Sequence, residues 1–172
     1  MNPKLDMIFK RRSIRAYENR AVPEELVRDL LEAAMAAPSA CAKDPWRFVV
    51  LTDTDIRSRI AAGLPNGGFL QDAPLGIAVC GDMQAAHDGE LSYMLQDCSA
   101  AIENLLLAAQ TLGLGACWLG VHPREERVSL LREVLELPDS VMPVSCIALG
   151  FPAEEKISRT RYADDYVHRE CW

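Results

Sequence analysis

Apolar residues recur at helical spacing in five stretches and run without interruption in four short ones. Lys4 to about Arg11 predicts a short helix with Leu5 and Ile8 on one side. Pro23 opens a second helix, where a missing N–H costs little; Leu26, Leu30, Leu31 and Ala34 share its buried stripe, and Pro38 stops it. Asp53 is placed to cap a third helix carrying Ile56 and Ile60. The longest pattern runs from about Asp88 to Leu112 and ends at Gly113. Its second half, around Ile102, Leu105, Leu106 and Ala109, is apolar nearly all round, which places it in the protein's centre or at a subunit interface. A last helix from Pro123 carries Val128, Leu131, Val134 and Leu135 before Pro138.

The uninterrupted runs predict strands at 47–52, 75–81, 116–120 and 144–150. Cores such as Phe48-Val49-Val50-Leu51 and Ile77-Ala78-Val79-Cys80 suit strands covered on both faces, hence a layered sheet between helices. Taken alone the alternation reads as α/β, and spacing does not separate parallel from mixed pairing.

With 172 residues, 49% of them hydrophobic, the chain is expected to form one domain over 1–172. No apolar run approaches the roughly 20 residues of a membrane span, and the N-terminus lacks a secretory h-region, so the expected location is cytoplasmic. The six cysteines form no Cys-x-x-Cys pair and are expected as free, mostly buried, non-catalytic thiols, with Cys41 the one to watch. The histidines His87, His122 and His168 are too scattered for a metal site. No Gly-x-Gly-x-x-Gly follows a strand, no Walker lysine loop exists, and neither Ser13 nor Ser39 sits in a Gly-x-Ser-x-Gly elbow.

Charge changes the picture. The chain carries a net charge of -7, yet Lys10-Arg11-Arg12-Ser13-Ile14-Arg15 packs four cations and a hydroxyl together. A local reversal of sign on an acidic chain argues for a specific anion site and against nucleic-acid binding, which calls for a broadly basic face. Two further clusters stand out. One is Ala37-Pro38-Ser39-Ala40-Cys41 with Pro45-Trp46-Arg47-Phe48; the other is the tail from Gly150-Phe151-Pro152 to Arg159-Thr160-Arg161.

These clusters, the helix Asp97-Cys98-Ser99-Ala100-Ala101-Ile102-Glu103-Asn104-Leu105 and the run Gly113-Leu114-Gly115-Ala116-Cys117-Trp118-Leu119-Gly120 occur in one order along the chain. Together they resemble the FMN-dependent nitroreductase family over essentially the whole length. The resemblance implies an α+β fold, a central mixed sheet flanked by helices, in an intertwined homodimer with two FMN sites at the subunit interface. It assigns Arg11 and Ser13, with Arg12 beside them, to the FMN phosphate or ribityl chain, and Arg15 to N1 and O2 of the flavin ring. Arg159 and Arg161 match tail cations that close on the phosphate. Pro38, Ser39 and Ala40 match the segment reaching the flavin from the other subunit, and Trp118, Leu119 and Gly120 the strand end against the ring, where a backbone N–H serves N5. Asn66 matches an asparagine at the pyrimidine edge, although a plain turn also explains it. Read without the resemblance, the arginine cluster also suits a solvated helix end and Trp118 ordinary core packing.

The implied activity is an NAD(P)H oxidoreductase that reduces a small electron-poor acceptor, a nitroaromatic, a quinone or a similar ring, in a ping-pong sequence. A non-catalytic flavin carrier or redox sensor, or a specialised enzyme of the same fold such as a dehalogenase, is the alternative. The chain departs from the family where Ala42 and Asp44 replace an asparagine and a glutamine before Pro-Trp, which bears on acceptor choice more than on FMN binding.

Overall fold

The computed structural model describes residues 2–172. Its strands β1 (Trp46–Leu51), β2 (Leu75–Asp82), β3 (Gly115–Gly120) and β4 (Val141–Gly150) form one sheet in the order β1-β2-β4-β3. Every neighbouring pair is antiparallel, with Phe48 opposite Val79, Ala78 opposite Cys146 and Trp118 opposite Ile147. A parallel direction enters only through the Ser13–Ala116 bridge on the outer edge of β3, and in that limited sense the sheet is mixed.

Each strand feeds two cores. Ile77, Val79, Ile147 and Leu149 point to one face, under α2 (Glu24–Met35) and α4 (Leu91–Thr111). Ala78, Cys146 and Ala148 point to the other, under α3 (Thr54–Ala62) and α5 (Glu125–Leu135). Double coverage explains the continuous apolar runs without parallel pairing. Large residues such as Leu30, Met94, Ile102 and Ile147 are fully buried, each contributing about 1.5–3 kcal/mol of apolar transfer.

The helix ends show where periodicity overreached. Pro23 caps α2 from outside, and the helix ends at Met35, before Pro38. The first helix, α1, spans only Asp6–Lys10 after a 3₁₀ turn at Pro3–Leu5. At the start of α4, Asp88 and Gly89 have φ of 53° and 66°, so the right-handed helix begins at Leu91 and not at Asp88. The last helix likewise opens at Glu125, two residues beyond Pro123. Asp53 caps α3 as expected, accepting from Asp55 N at 2.8 Å and Ile56 N at 3.0 Å. Gly113 (φ 74°) ends α4 with a left-handed turn, and Leu114 N returns to Ala109 O at 2.8 Å.

Cys80, Cys98, Cys117 and Cys146 are buried, whereas Cys41 and Cys171 are exposed. Burial pushes the Cys80, Cys98 and Cys146 thiols up from 9.0 to about 12. The unfolded chain therefore ionises them first. Their contribution to stability is intact below pH 9 and is lost as pH rises toward 12, by up to about 1.4 kcal/mol per thiol per pH unit. Urea midpoints measured across that range should fall, and replacing all three thiols by alanine or valine should flatten the profile; an equally steep profile in that variant would refute the assignment.

Candidate functional site

The segment following α1 is held from two sides. On one side Ile14 N donates to Ala116 O at 3.0 Å, which docks the chain on the edge of β3. Gly115 permits this approach, since a Cβ there would lie 2.7 Å from Ile14 Cγ2. On the other side the tail returns: Glu18 N donates to Phe151 O and Ala153 N to Ala16 O, each at 2.9 Å. The Tyr17 hydroxyl donates to Ile14 O at 2.6 Å, and burial raises its pKa. Arg11 to Arg15 is thus an extended ribbon between a strand and the tail.

Folding the tail back brings distant cations together. Arg11, Arg12, Ser13, Arg15, Lys156, Arg159 and Arg161 line a hollow of about 300 Å³ with no carboxylate in its wall. Lys156, which the sequence reading missed, donates from Nζ to Ser13 O at 2.7 Å and pairs with Glu154 at 3.0 Å. Glu154 in turn accepts from Arg15 N at 2.5 Å; that bond, with Lys156 second, holds its carboxyl below the ordinary carboxylate range. Arg12 donates to Ile157 O, and Arg11 Nε lies 3.2 Å from Glu103 on α4. Arg159 and Arg161 are exposed and make no hydrogen bond or ion pair with the described residues. A hollow walled by cations with two uncommitted guanidinium groups is built to receive a multiply charged oxyanion.

A second hollow, of about 190 Å³, opens beside the first. Arg15 borders both. The second is walled by Asn66, Phe69, Trp118, Leu119 and Gly120, with Arg127 from α5. Arg15 Cζ stands 5.8 Å from the Phe69 ring centroid, and Trp118 at the end of β3 remains 38% exposed while Leu119 turns into the core. Asn66, which a plain turn could have explained, lies in the wall with Trp118. Arg127 escaped the sequence reading because it looks like one more charge on the wet face of α5.

Pro38, Ser39 and Ala40 border neither hollow in the protomer. They are nevertheless pinned. Ser39 Oγ donates to Asp44 Oδ1 at 2.5 Å and accepts from Asp44 N at 3.0 Å. Ala40 N donates to Oδ1 of Asp97, a carboxylate only 5% exposed on α4. The chain beyond turns through left-handed φ at Cys41, Ala42 and Asp44, and Cys41 Sγ lies 3.7 Å from His87 Nε2. Asp44 therefore braces Ser39.

Among the described residues no group of three or more His, Cys, Asp or Glu is placed to hold a metal ion, and no helix is long and apolar enough to cross a membrane.

A cationic hollow thus adjoins one with polar and aromatic walls, and the two share Arg15. A Methanothermobacter thermautotrophicus protein provisionally named an NADH dehydrogenase/NAD(P)H nitroreductase is 44% identical over 168 residues, 98% of this chain and 87% of that one. The crystal structure of a protein with the same provisional name from Parabacteroides distasonis superposes with a TM-score of 0.93 at 37% identity, covering 100% of both chains. A provisionally named nitroreductase from Desulfovibrio desulfuricans, solved in complex with FMN, gives a TM-score of 0.85 at 34% identity over 100% of this chain and 99% of that one. The nitroreductase family pattern itself matches residues 8–66 and 60–151. From the cationic ribbon at Arg11 to the tail that closes on it, this chain belongs to the nitroreductase family.

Proposed function

We propose that this protein is an FMN-dependent NAD(P)H oxidoreductase that reduces nitroaromatics, quinones or similar electron-poor rings by a ping-pong route. The observation that carries the reading is the pair of hollows joined at Arg15. One terminal phosphate suits the cationic hollow, and the absence of a Gly-rich pyrophosphate loop from the sequence disfavours FAD. When bound, FMN would supply the redox chemistry, hydride acceptance from NAD(P)H and two-electron delivery to the acceptor.

The residues supply binding, orientation and charge. Arg11, Arg12, Ser13, Lys156, Arg159 and Arg161 hold the phosphate and ribityl end. Arg15, shared by both hollows, would serve the N1 and O2 side of the ring, where a cation favours the reduced, more negative ring over the oxidised one. Trp118, Leu119 and Gly120 would lie along the ring and offer a backbone N–H to N5, and Asn66 would read the pyrimidine edge. Pro38, Ser39 and Ala40 reach the flavin of a second copy, which accounts for a pinned loop that borders no hollow of its own protomer.

The purified protein is expected to be yellow, to release FMN and not FAD on denaturation, and to bleach rapidly when NAD(P)H is added without oxygen. No flavin, or a bound flavin that NAD(P)H leaves oxidised, would overturn the reading. Arg15→Gln should lower the midpoint potential of bound FMN in a spectroelectrochemical titration, with a smaller change in affinity for oxidised FMN. An unchanged potential with sharply weaker binding would make Arg15 a phosphate ligand instead.

A further inference from the structure

The ring-side hollow contains a second guanidinium. Arg127 projects from the first turn of α5, with Nη1 donating to Gly120 O at 2.9 Å. That bond fixes the head of the side chain at the end of β3. Its Nε–H is buried and has no partner among the described residues. With Nη1 on Gly120 O, the guanidinium keeps further N–H donors on the wall of the ring-side hollow, where a ligand acceptor can meet them.

Resting on the FMN reading above, we propose that Arg127 is a flavin-binding residue that donates to the carbonyl oxygen at C4 of the ring, while Arg15 serves N1 and the C2 carbonyl. The order follows from the connectivity of FMN. The ribityl chain leaves N10, whose neighbour C10a leads directly to N1 and C2; C4 lies beyond N3, on the side away from the chain. Arg15 borders the phosphate hollow as well as the ring hollow, whereas Arg127 borders only the latter. The cation nearer the phosphate therefore meets the C2 side, and the other meets C4. Asn66, in the same wall, carries both a donor and an acceptor, as N3–H between two carbonyls requires. The C4 carbonyl is conjugated with N5. A cation on it draws electron density away from the atom that receives the hydride, so Arg127 acts at the C4 end of the ring as Arg15 does at the C2 end.

Titrating the apoprotein with FMN, 2-thio-FMN and 4-thio-FMN, followed by flavin fluorescence, tests the position of each cation. The wild type is expected to bind FMN more tightly than either thio analogue, because sulfur is the poorer acceptor. Arg127→Met should weaken FMN about tenfold and erase the discrimination against 4-thio-FMN alone, and Arg15→Gln the discrimination against 2-thio-FMN alone. If the methionine variant does not fold, Arg127→Gln, whose amide cannot span the same distance, is read in the same way. An Arg127 variant that still disfavours 4-thio-FMN as the wild type does, or that loses both discriminations together, overturns the proposal. Failure of the wild type to bind FMN at all would overturn the flavin reading along with it.

Discussion

Reversing Arg159 and Arg161 together to glutamate is expected to strip FMN from the protein while leaving the fold in place. Both guanidinium groups are exposed and uncommitted, so the protomer loses no hydrogen bond when they are replaced. Their neighbours Lys156 and Arg12 are already engaged with Ser13 O and Ile157 O and cannot compensate freely. A hydrogen bond to a charged group contributes about 1.5–3 kcal/mol, so two lost contacts correspond to roughly a hundredfold to ten-thousandfold in Kd before the new repulsion is counted. Fluorescence titration of the apo variant with FMN measures this, and a thermal melt of the same apoprotein checks folding. Phosphate held by Arg11, Arg12 and Ser13 alone would leave Kd within about threefold of wild type, and the tail would then have no part in the site.

That experiment also bears on what a one-dimensional reading can reach. Arg159 and Arg161 were legible because they repeat a charge type in a family-like tail. Lys156 was not, since its place beside Ser13 depends on the return of the chain after β4, and two glutamates precede it in sequence. The same holds for Arg127, whose partner, Gly120 O, lies seven residues earlier across a loop. Helix and strand positions followed from periodicity, which reports which faces are buried. Strand direction did not follow, because Ile77 and Ala78 face opposite cores whether the neighbouring strand runs parallel or antiparallel. The start of α4 was misplaced for a local reason: nothing in the apolar spacing reveals that Asp88 and Gly89 adopt left-handed φ. Family likeness points to Ser39 and Ala40, but only the folded chain shows Asp44 and the buried Asp97 gripping them.

Leu107→Glu is expected to split a homodimer into monomers and to remove FMN with it. The helical pattern of α4 leaves Leu107, Ala108 and Leu112 half-buried, and with Met7, Ala33 and Ala36 they form most of the wall of an apolar hollow of about 420 Å³ between α2 and α4. Met7 itself is 43% exposed, and Ile8 and Met35, each next in sequence to a lining residue, are 48% and 51% exposed. The tail adds Ile157, Tyr166 and Trp172, at 89%, 82% and 100%. Apolar exposure on this scale is unusual for a monomer, and a second copy lying on α4 would cover the α2–α4 part of it. Burying a glutamate in such a contact would cost several kcal/mol per charge, and a two-fold dimer would carry two of them, so the dimer constant should weaken by at least about a thousandfold. In the separated protomer the same side chain reaches water and costs little. Light scattering on a size-exclusion column, run with absorbance at flavin wavelengths, reads mass and FMN content together. Monomers without flavin are the expected result, because Pro38, Ser39 and Ala40 then have no partner site to complete. A wild-type protein that runs as a stable, FMN-loaded monomer would refute both the α4 interface and the cross-subunit role of that loop.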